Sequence, residues 1–336
     1  MNILFHPELD TELTQYGIQI PIKDDRSEKV FEWLNQNNHS IESFSLSQLP
    51  QIREEELLLV HNAEFVRRFL DKDLVHGELI KAYELINDKG EYNRYEPVLA
   101  KKQLSQMVPS IFKQVAGTLM ASELALQNGF CYFLGGGMHH AMSFGGRGFC
   151  PLNDMAIAIK KLMFDKKIKS AWVVDVDAHK GDGTAEIFQN DDHVKTLSIH
   201  MKRNWPLDGP MYDKEGSLNP WFISSDIDIG IERGEESLYL KELKKGLDRM
   251  LSWGKPDLVI IVNGADPFEA DELPSTSALK LTLEQLFDRD MLLYNFFEKN
   301  NIPQSYVMAG GYGARSWEVY AQFLDEVLKL REVKFS

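Results

Sequence analysis

Asp175, Asp177 and His179 stand at every second position of the run Asp175-Val176-Asp177-Ala178-His179-Lys180-Gly181-Asp182-Gly183. An apolar stretch, Ala171 to Val174, precedes them and reads as a buried parallel strand. In an extended chain this spacing puts two carboxylates and an imidazole on one face, at the C-terminal strand end where open α/β sheets place ligands. Buried together, such groups demand a cation or strong hydrogen-bond donors, so the run reads as a divalent-metal site.

Three further strand ends carry residues that suit the same chemistry. Gly135-Gly136-Gly137-Met138-His139-His140 follows Tyr132 to Leu134 and offers two adjacent histidines for acid–base work. Asp175 and Asp182 can each orient one of those rings. Asp266, in Asn263-Gly264-Ala265-Asp266-Pro267 after the strand Leu258 to Val262, is placed to be a third metal ligand. Tyr312, in Ala309-Gly310-Gly311-Tyr312-Gly313, can donate a hydrogen bond to charge building on a carbonyl oxygen. Each segment alone is an ordinary turn; their joint order is specific. Two carboxylates and one imidazole leave a position open for water and substrate, the mark of a catalytic metal. Zn²⁺ fits that donor set, and Fe²⁺, Co²⁺ or Mn²⁺ can bind it too.

The elements that must hold these residues alternate along the 336-residue chain. Predicted strands are Met1 to Phe5, Glu56 to Val60, Tyr132 to Leu134, Ala171 to Asp177, Lys195 to His200, Trp221 to Asp228, Leu258 to Val262 and Ser305 to Met308. Predicted amphipathic helices are Ser105 to Asn128, Asn153 to Phe164, Glu235 to Trp253 and Thr282 to Lys299, the last opened by the capping box of Thr282 and Gln285. This alternation implies an α/β fold: one mainly parallel sheet with helices on both faces, in a single domain over 1–336. The polar segment Asp71 to Gln103 is expected to be a surface excursion.

Hydrophobic residues make up 43% of the chain, and 37 basic against 51 acidic residues give a formal charge of −14. That surface repels a nucleic-acid backbone, so direct DNA or RNA binding is not expected. No apolar run reaches membrane-spanning length, the first residues lack a signal-peptide pattern, and a cytoplasmic location is expected. Cys131 and Cys150 are too few for a disulfide framework and read as buried thiols.

Taken together, the runs GGGMHHA, GRGFCPLND, DVDAHKGDGT, LSIH, NGADPFEAD and GGY resemble the histone deacetylase superfamily of the arginase–deacetylase fold. The resemblance covers Phe133 to His200 and Val259 to Tyr312, with a looser likeness at Leu59 to Phe65. Details such as Asn204-Trp205-Pro206 are nearest to the class IV branch and its bacterial relatives. It implies Asp177, His179 and Asp266 as metal ligands, and His139 and His140 as an acid–base pair bonded to Asp175 and Asp182 respectively. Tyr312 would polarise the amide carbonyl. Gly148 and Phe149, with Trp205 opposite, would line an acyl-lysine channel. Asp175, Asp177, His179, Ser198 and Ile199 would hold a structural K⁺ or Na⁺. The implied activity is zinc-dependent removal of an acyl group from a lysine side chain or a related small amine. Two rival readings are a Mn²⁺ ureohydrolase of the same fold and a catalytically silent acyl-lysine-binding scaffold. Two positions depart from the family pattern. Lys180 stands where histidine or glutamine is usual, and its side chain is expected to alternate away from the metal face. The acidic rim residue that grips the substrate backbone has no clear counterpart, with Asp88 to Glu96 the candidate region.

Overall fold

Seven short apolar stretches pair into a single all-parallel sheet in the computed structural model of the chain, which describes residues 2–39, 41 and 44–335. The strands are β1 (Ile3–Leu4), β2 (Phe130–Phe133), β3 (Ala171–Asp175), β4 (Val194–Met201), β5 (Ile227–Ile231), β6 (Leu258–Val262) and β7 (Gln304–Val307), in the order β1-β2-β7-β6-β3-β4-β5. Ten α-helices are described: α1 (Arg26–Gln36), α2 (Glu54–Leu57), α3 (Ala63–Leu70), α4 (Val75–Ala82), α5 (Val108–Asn128), α6 (Asp154–Phe164), α7 (Asp182–Phe188), α8 (Tyr239–Ser252), α9 (Leu283–Asn300) and α10 (Ser316–Phe335).

Side chains alternate between the sheet's two faces, and each face has its own core. Phe133, Val173, Ile260 and Val307 pack with residues of α3 to α6, whereas Tyr132, Val174, Ile261 and Tyr306 pack with α1, α8, α9 and α10. Burial on both faces explains why these strands read as nearly continuous apolar runs. This is the expected α/β architecture with helices on both sides of a parallel sheet.

Several boundaries differ from expectation. Glu56 to Val60 is not a strand: α2 and a following turn occupy it, with Leu57 buried and Leu58 44% exposed. Glu54, Glu55 and Glu56 favour a helix start there, and Glu56 Oε2 accepts the Arg53 N–H at 2.9 Å. Trp221 to Asp228 is also corrected. Pro220 opens a 3₁₀ turn through Phe222, and the strand begins only at Ile227, in register with Leu197. Asp71 to Gln103 is anchored rather than peripheral, because Val75, Leu79, Ala82, Tyr83 and Leu85 are buried in the core. β3 ends at Asp175 rather than running through Asp177, and the chain turns so that Asp175 Oδ1 accepts the Asp177 N–H at 3.1 Å. Met1, at the start of the first predicted strand, lies outside the described residues. Thr282 and Gln285 form the expected capping box. Among the described residues no helix is long and apolar enough to cross a membrane.

Candidate active site

The C-terminal ends of β2, β3, β6 and β7 meet at one place, and the singled-out residues meet with them. After β2 the glycine turn is drawn onto α6: Asp154 accepts the Gly137 N–H at 2.9 Å, the Met138 N–H at 2.7 Å and the Thr118 hydroxyl at 2.5 Å. His139 and His140 follow, both buried, their ring centroids 3.9 Å apart. His139 Nδ1 lies 2.6 Å from Asp175 Oδ2, and His140 Nδ1 lies 2.6 Å from Asp182 Oδ1 in the first turn of α7. These are the two pairings expected.

Asp177, His179 and Asp266 present ligand atoms within 4.8 Å of one another, all buried. His179 Nδ1 is 3.2 Å from Asp177 Oδ1 and 2.9 Å from Asp266 Oδ2, while its Nε2 lies 3.0 Å from Ser275 Oγ. Asp266 Oδ2 is buried and makes no well-aligned hydrogen bond despite that short approach, whereas Oδ1 accepts the Ala178 N–H at 2.8 Å. A Cβ at Gly310 would sit 2.8 Å from Asp266 Oδ2, and one at Gly264 would strike Asp177 Oδ2, so the backbone closes around the carboxylates. Two carboxylates and an imidazole thus point at one enclosed spot, with one buried oxygen lacking a donor; a divalent cation fits that set.

The protonation equilibria express the same demand for positive charge. Burial alone would lower His179, yet the adjoining Asp177 and Asp266 carboxylates push it up to about 10. Burial likewise opposes His139, but Asp175 and Asp177 push it up to about 9. Burial pushes Asp266 up to about 6, reinforced by the Asp177 charge. His140 goes the other way: burial, then the charges of His139 and His179, hold it well below the usual imidazole value. Burial and the Asp266, Asp177 and Asp271 charges keep the Tyr312 phenol well above its ordinary value, hence protonated.

Tyr312 is held by its backbone, whose N–H donates to Asp271 Oδ2 at 2.8 Å, and its ring lies 6.3 Å from that of Phe149. Phe149 and Gly148 both have positive φ, 67° and 55°. A Cβ at Gly148 would strike the Trp205 ring and lie 2.7 Å from His140 Cδ2, so glycine is required there on both counts. Trp205 sits 4.5 Å from the His140 ring and 5.6 Å from the His179 ring. One cavity is lined by His139, His140, Asp177, His179, Phe149 and Tyr312, and its lining extends to Asp10 and Arg26.

Asp175 and Ser198 are register partners on β3 and β4, and Ser198 Oγ accepts the Gly181 N–H at 3.3 Å. The Ile199 side chain belongs to the core, leaving only its carbonyl for a cation. Lys180 turns away as expected. It is buried, and its ammonium lies 2.6 Å from Asp228 Oδ2, whose other oxygen is 2.8 Å from His200 Nε2. Burial pushes Asp228 up, but the His200 and Lys180 interactions outweigh it and bring it down to about 2.

Within the segment Asp88 to Glu96, Arg94 lies over the Phe149 ring at 5.5 Å. Glu84 is an acid beside Gly148. Burial raises its pKa, opposed by Arg147, Arg94 and a hydrogen bond from the Gly148 backbone. Sequence reasoning also missed two arginines. Arg147 Nη1 donates to Asp182 Oδ2 at 2.8 Å. Arg289, fully buried on α9, donates through Nη1 to Val176 O at 3.1 Å and Gly264 O at 2.8 Å, tying together the loops that carry Asp177 and Asp266. Cys131 and Cys150 are buried and not joined to one another.

The profile of the histone deacetylase domain matches residues 20–328. An uncharacterized protein of Picosynechococcus is 36% identical over 199 residues, covering 59% of this chain and 61% of that protein. Histone deacetylase 2 of Arabidopsis thaliana is 29% identical over 217 residues, covering 64% of this chain and 52% of that one. The chain thus matches less than two thirds of the length of these curated relatives. Among solved structures, acetylpolyamine aminohydrolase from Burkholderia pseudomallei superposes with a TM-score of 0.67 at 19% identity, covering 96% of this chain and 97% of that one, a likeness of fold. With the profile spanning most of its length, the chain belongs to the histone deacetylase domain family.

Proposed function

We propose that this protein is a metal-dependent amide hydrolase that removes an acetyl or longer acyl group from a lysine side chain or a related small amine, acting as one catalytic domain. The observation that carries this reading is the convergence of two histidine–aspartate pairs, each at 2.6 Å, on the enclosed meeting point of Asp177, His179 and Asp266. Those three residues would hold the ion, Zn²⁺ by donor type with Fe²⁺ or Co²⁺ as alternatives. When bound it supplies a Lewis acid for the amide carbonyl and lowers the pKa of water.

The chain's own residues do the rest. His140, oriented through Nδ1 by Asp182, offers Nε2 to the proton of the attacking water. The protonated Tyr312 phenol donates to the carbonyl oxygen as negative charge develops there. The histidine pair returns a proton to the departing amine, so that a carboxylic acid and a free amine are the products. Gly148, Phe149 and Trp205 form the apolar walls that admit an acylated alkyl amine and keep bulk water out. Asp175, Asp177, His179, Ser198 and Ile199 are proposed to hold a K⁺ or Na⁺ that stiffens the β3–β4 strand ends.

A two-metal ureohydrolase is not supported. The residue two beyond the ligand histidine is Gly181, and a Cβ there would collide with Asp175 Oδ2, so a second ligand has no room. The test is a panel of acyl-lysine peptides of increasing chain length together with acetylated polyamines, assayed on Zn²⁺-loaded protein. Acid release from at least one class is expected. Urea release from arginine or agmatine, or acyl-peptide binding without hydrolysis, would overturn the reading.

A further inference from the structure

The carboxylate that orients His140 has a second partner which the chemistry above does not use. Asp182 Oδ1 takes the His140 ring, and Asp182 Oδ2 takes Arg147 Nη1 at 2.8 Å. Two indole rings also lie against that guanidinium. Its Cζ lies 4.9 Å from the centroid of Trp205 and 4.7 Å from that of Trp221. Trp205 in turn stands edge-on to His140 at 4.5 Å, so His140, Asp182, Arg147 and Trp205 close a circuit of contacts. Trp205 and Trp221 lie near opposite ends of the long connection from β4 to β5, residues 202–226, whose middle exposes Met211, Tyr212 and Leu218. The Arg147 side chain is only 22% exposed, which removes it from the class of freely solvated ion pairs. A planar cation that hydrogen-bonds a carboxylate while packing against two indole rings is an arginine property, and lysine does not reproduce it.

We infer that Arg147 is a positioning residue: its hydrogen bond fixes Asp182 beneath His140, and its contacts with Trp205 and Trp221 clamp the β4–β5 connection so that Trp205 stands as the channel wall. The inference rests on the proposed function and adds a division of labour to it. The hydrogen bond serves turnover, through His140. The indole contacts serve substrate binding, through the wall.

Three variants of the zinc-loaded full chain separate these roles. Arg147→Met removes both, and kcat should fall at least about tenfold while KM rises. Arg147→Lys keeps a charge for Asp182 but loses the packing on the indoles, so kcat should stay within about threefold while KM rises more than that. Trp221→Leu removes one of the two rings and should raise KM with kcat nearly kept. A second readout needs no turnover: the downfield proton resonance of the His140–Asp182 hydrogen bond, assigned by its loss in Asp182→Asn. It should shift or broaden in Arg147→Met and persist in Trp221→Leu. The inference is overturned if Arg147→Met leaves kcat and KM within about twofold of the parent, or if that resonance is unmoved in it. Should the parent hydrolyse no acyl substrate, the proposed function fails, and the resonance still decides the role of Arg147.

Discussion

The histidines of the two histidine–aspartate pairs are neighbours in sequence and each makes a 2.6 Å contact, yet they live in different surroundings. His139 leans on Asp175 at the end of β3 and has Asp177 Oδ1 3.8 Å from its Nε2, so anions face it from both sides. His140 leans on Asp182, whose second oxygen is already taken by Arg147, and its ring is walled by Trp205. The first ring is pushed up to about 9 and the second well below its ordinary value. A histidine–carboxylate bond therefore does not fix the charge of the ring; the next layer of neighbours does. Each pair also has its own arginine. Arg289 grips the backbone behind the first, and Arg147 bonds directly to the carboxylate of the second.

The largest expected effects come from removing the groups that face substrate. His140→Ala and Tyr312→Phe should each cut kcat by about 10²–10³-fold or more while circular dichroism and bound-metal content stay near the parent. Wild-type-like turnover in either would sink its assigned role. Arg289→Met should next cost about 3–5 kcal/mol in urea unfolding, because it strands a buried Asp290 whose Oδ1 is otherwise met, among the described residues, by Asn263 Nδ2 alone, at 2.7 Å. A loss under about 1 kcal/mol would remove Arg289 from the account.

A third buried histidine calibrates the comparison. His61 is met by no carboxylate among the described residues; its Nδ1 lies 2.9 Å from Met142 O, and its Nε2 accepts the Asn153 N–H at 3.2 Å. Burial, only partly offset by backbone hydrogen bonds, pushes it from 6.5 down to about 4. The folded state refuses a proton that the unfolded chain accepts. Its contribution is therefore complete above pH 6.5 and is lost as pH falls toward 4, about 3 kcal/mol in all. Chemical denaturation across that range should show the slope in the parent and a flatter one in His61→Gln. An identical slope would rule His61 out as its source.

The finest test sets the two aspartates against each other. Asp182→Asn and Asp175→Asn should each lower kcat by about 10–100-fold. Only Asp175→Asn should also weaken metal binding in chelator competition, since Asp175 Oδ1 holds the Asp177 N–H. Equal metal affinity in the two variants would erase that distinction.

Much of this was legible in the sequence because parallel strands buried on both faces leave unbroken apolar runs, and the site residues sit where those runs stop. The order Asp175, Asp177, His179 needs no partner from elsewhere to be noticed. Glu56 to Val60 misled because an apolar run this short carries no period, and the glutamates Glu54, Glu55 and Glu56 settle it as a helix start. Helices such as α1 and α10 were passed over because their apolar stripes are interleaved with charge. The role of Arg147, although it stands in the run GRGFCPLND, and that of Arg289 were missed for another reason: Asp182 lies 35 residues from the first and Val176 lies 113 from the second, and a single arginine has no spacing to read. The role of Lys180 emerged the same way, through Asp228 at a distance of 48 residues.

The central claim is that Asp177, His179 and Asp266 hold a cation that the two histidine pairs put to use in amide hydrolysis. The most direct measurement is acid release from an acylated lysine peptide and an acetylated polyamine as metal-stripped protein is titrated with Zn²⁺. Activity should rise to a plateau at one ion per chain and vanish in His140→Ala at the same metal occupancy. A fully loaded protein that releases no acid from either substrate, or an activity indifferent to the metal, would contradict it.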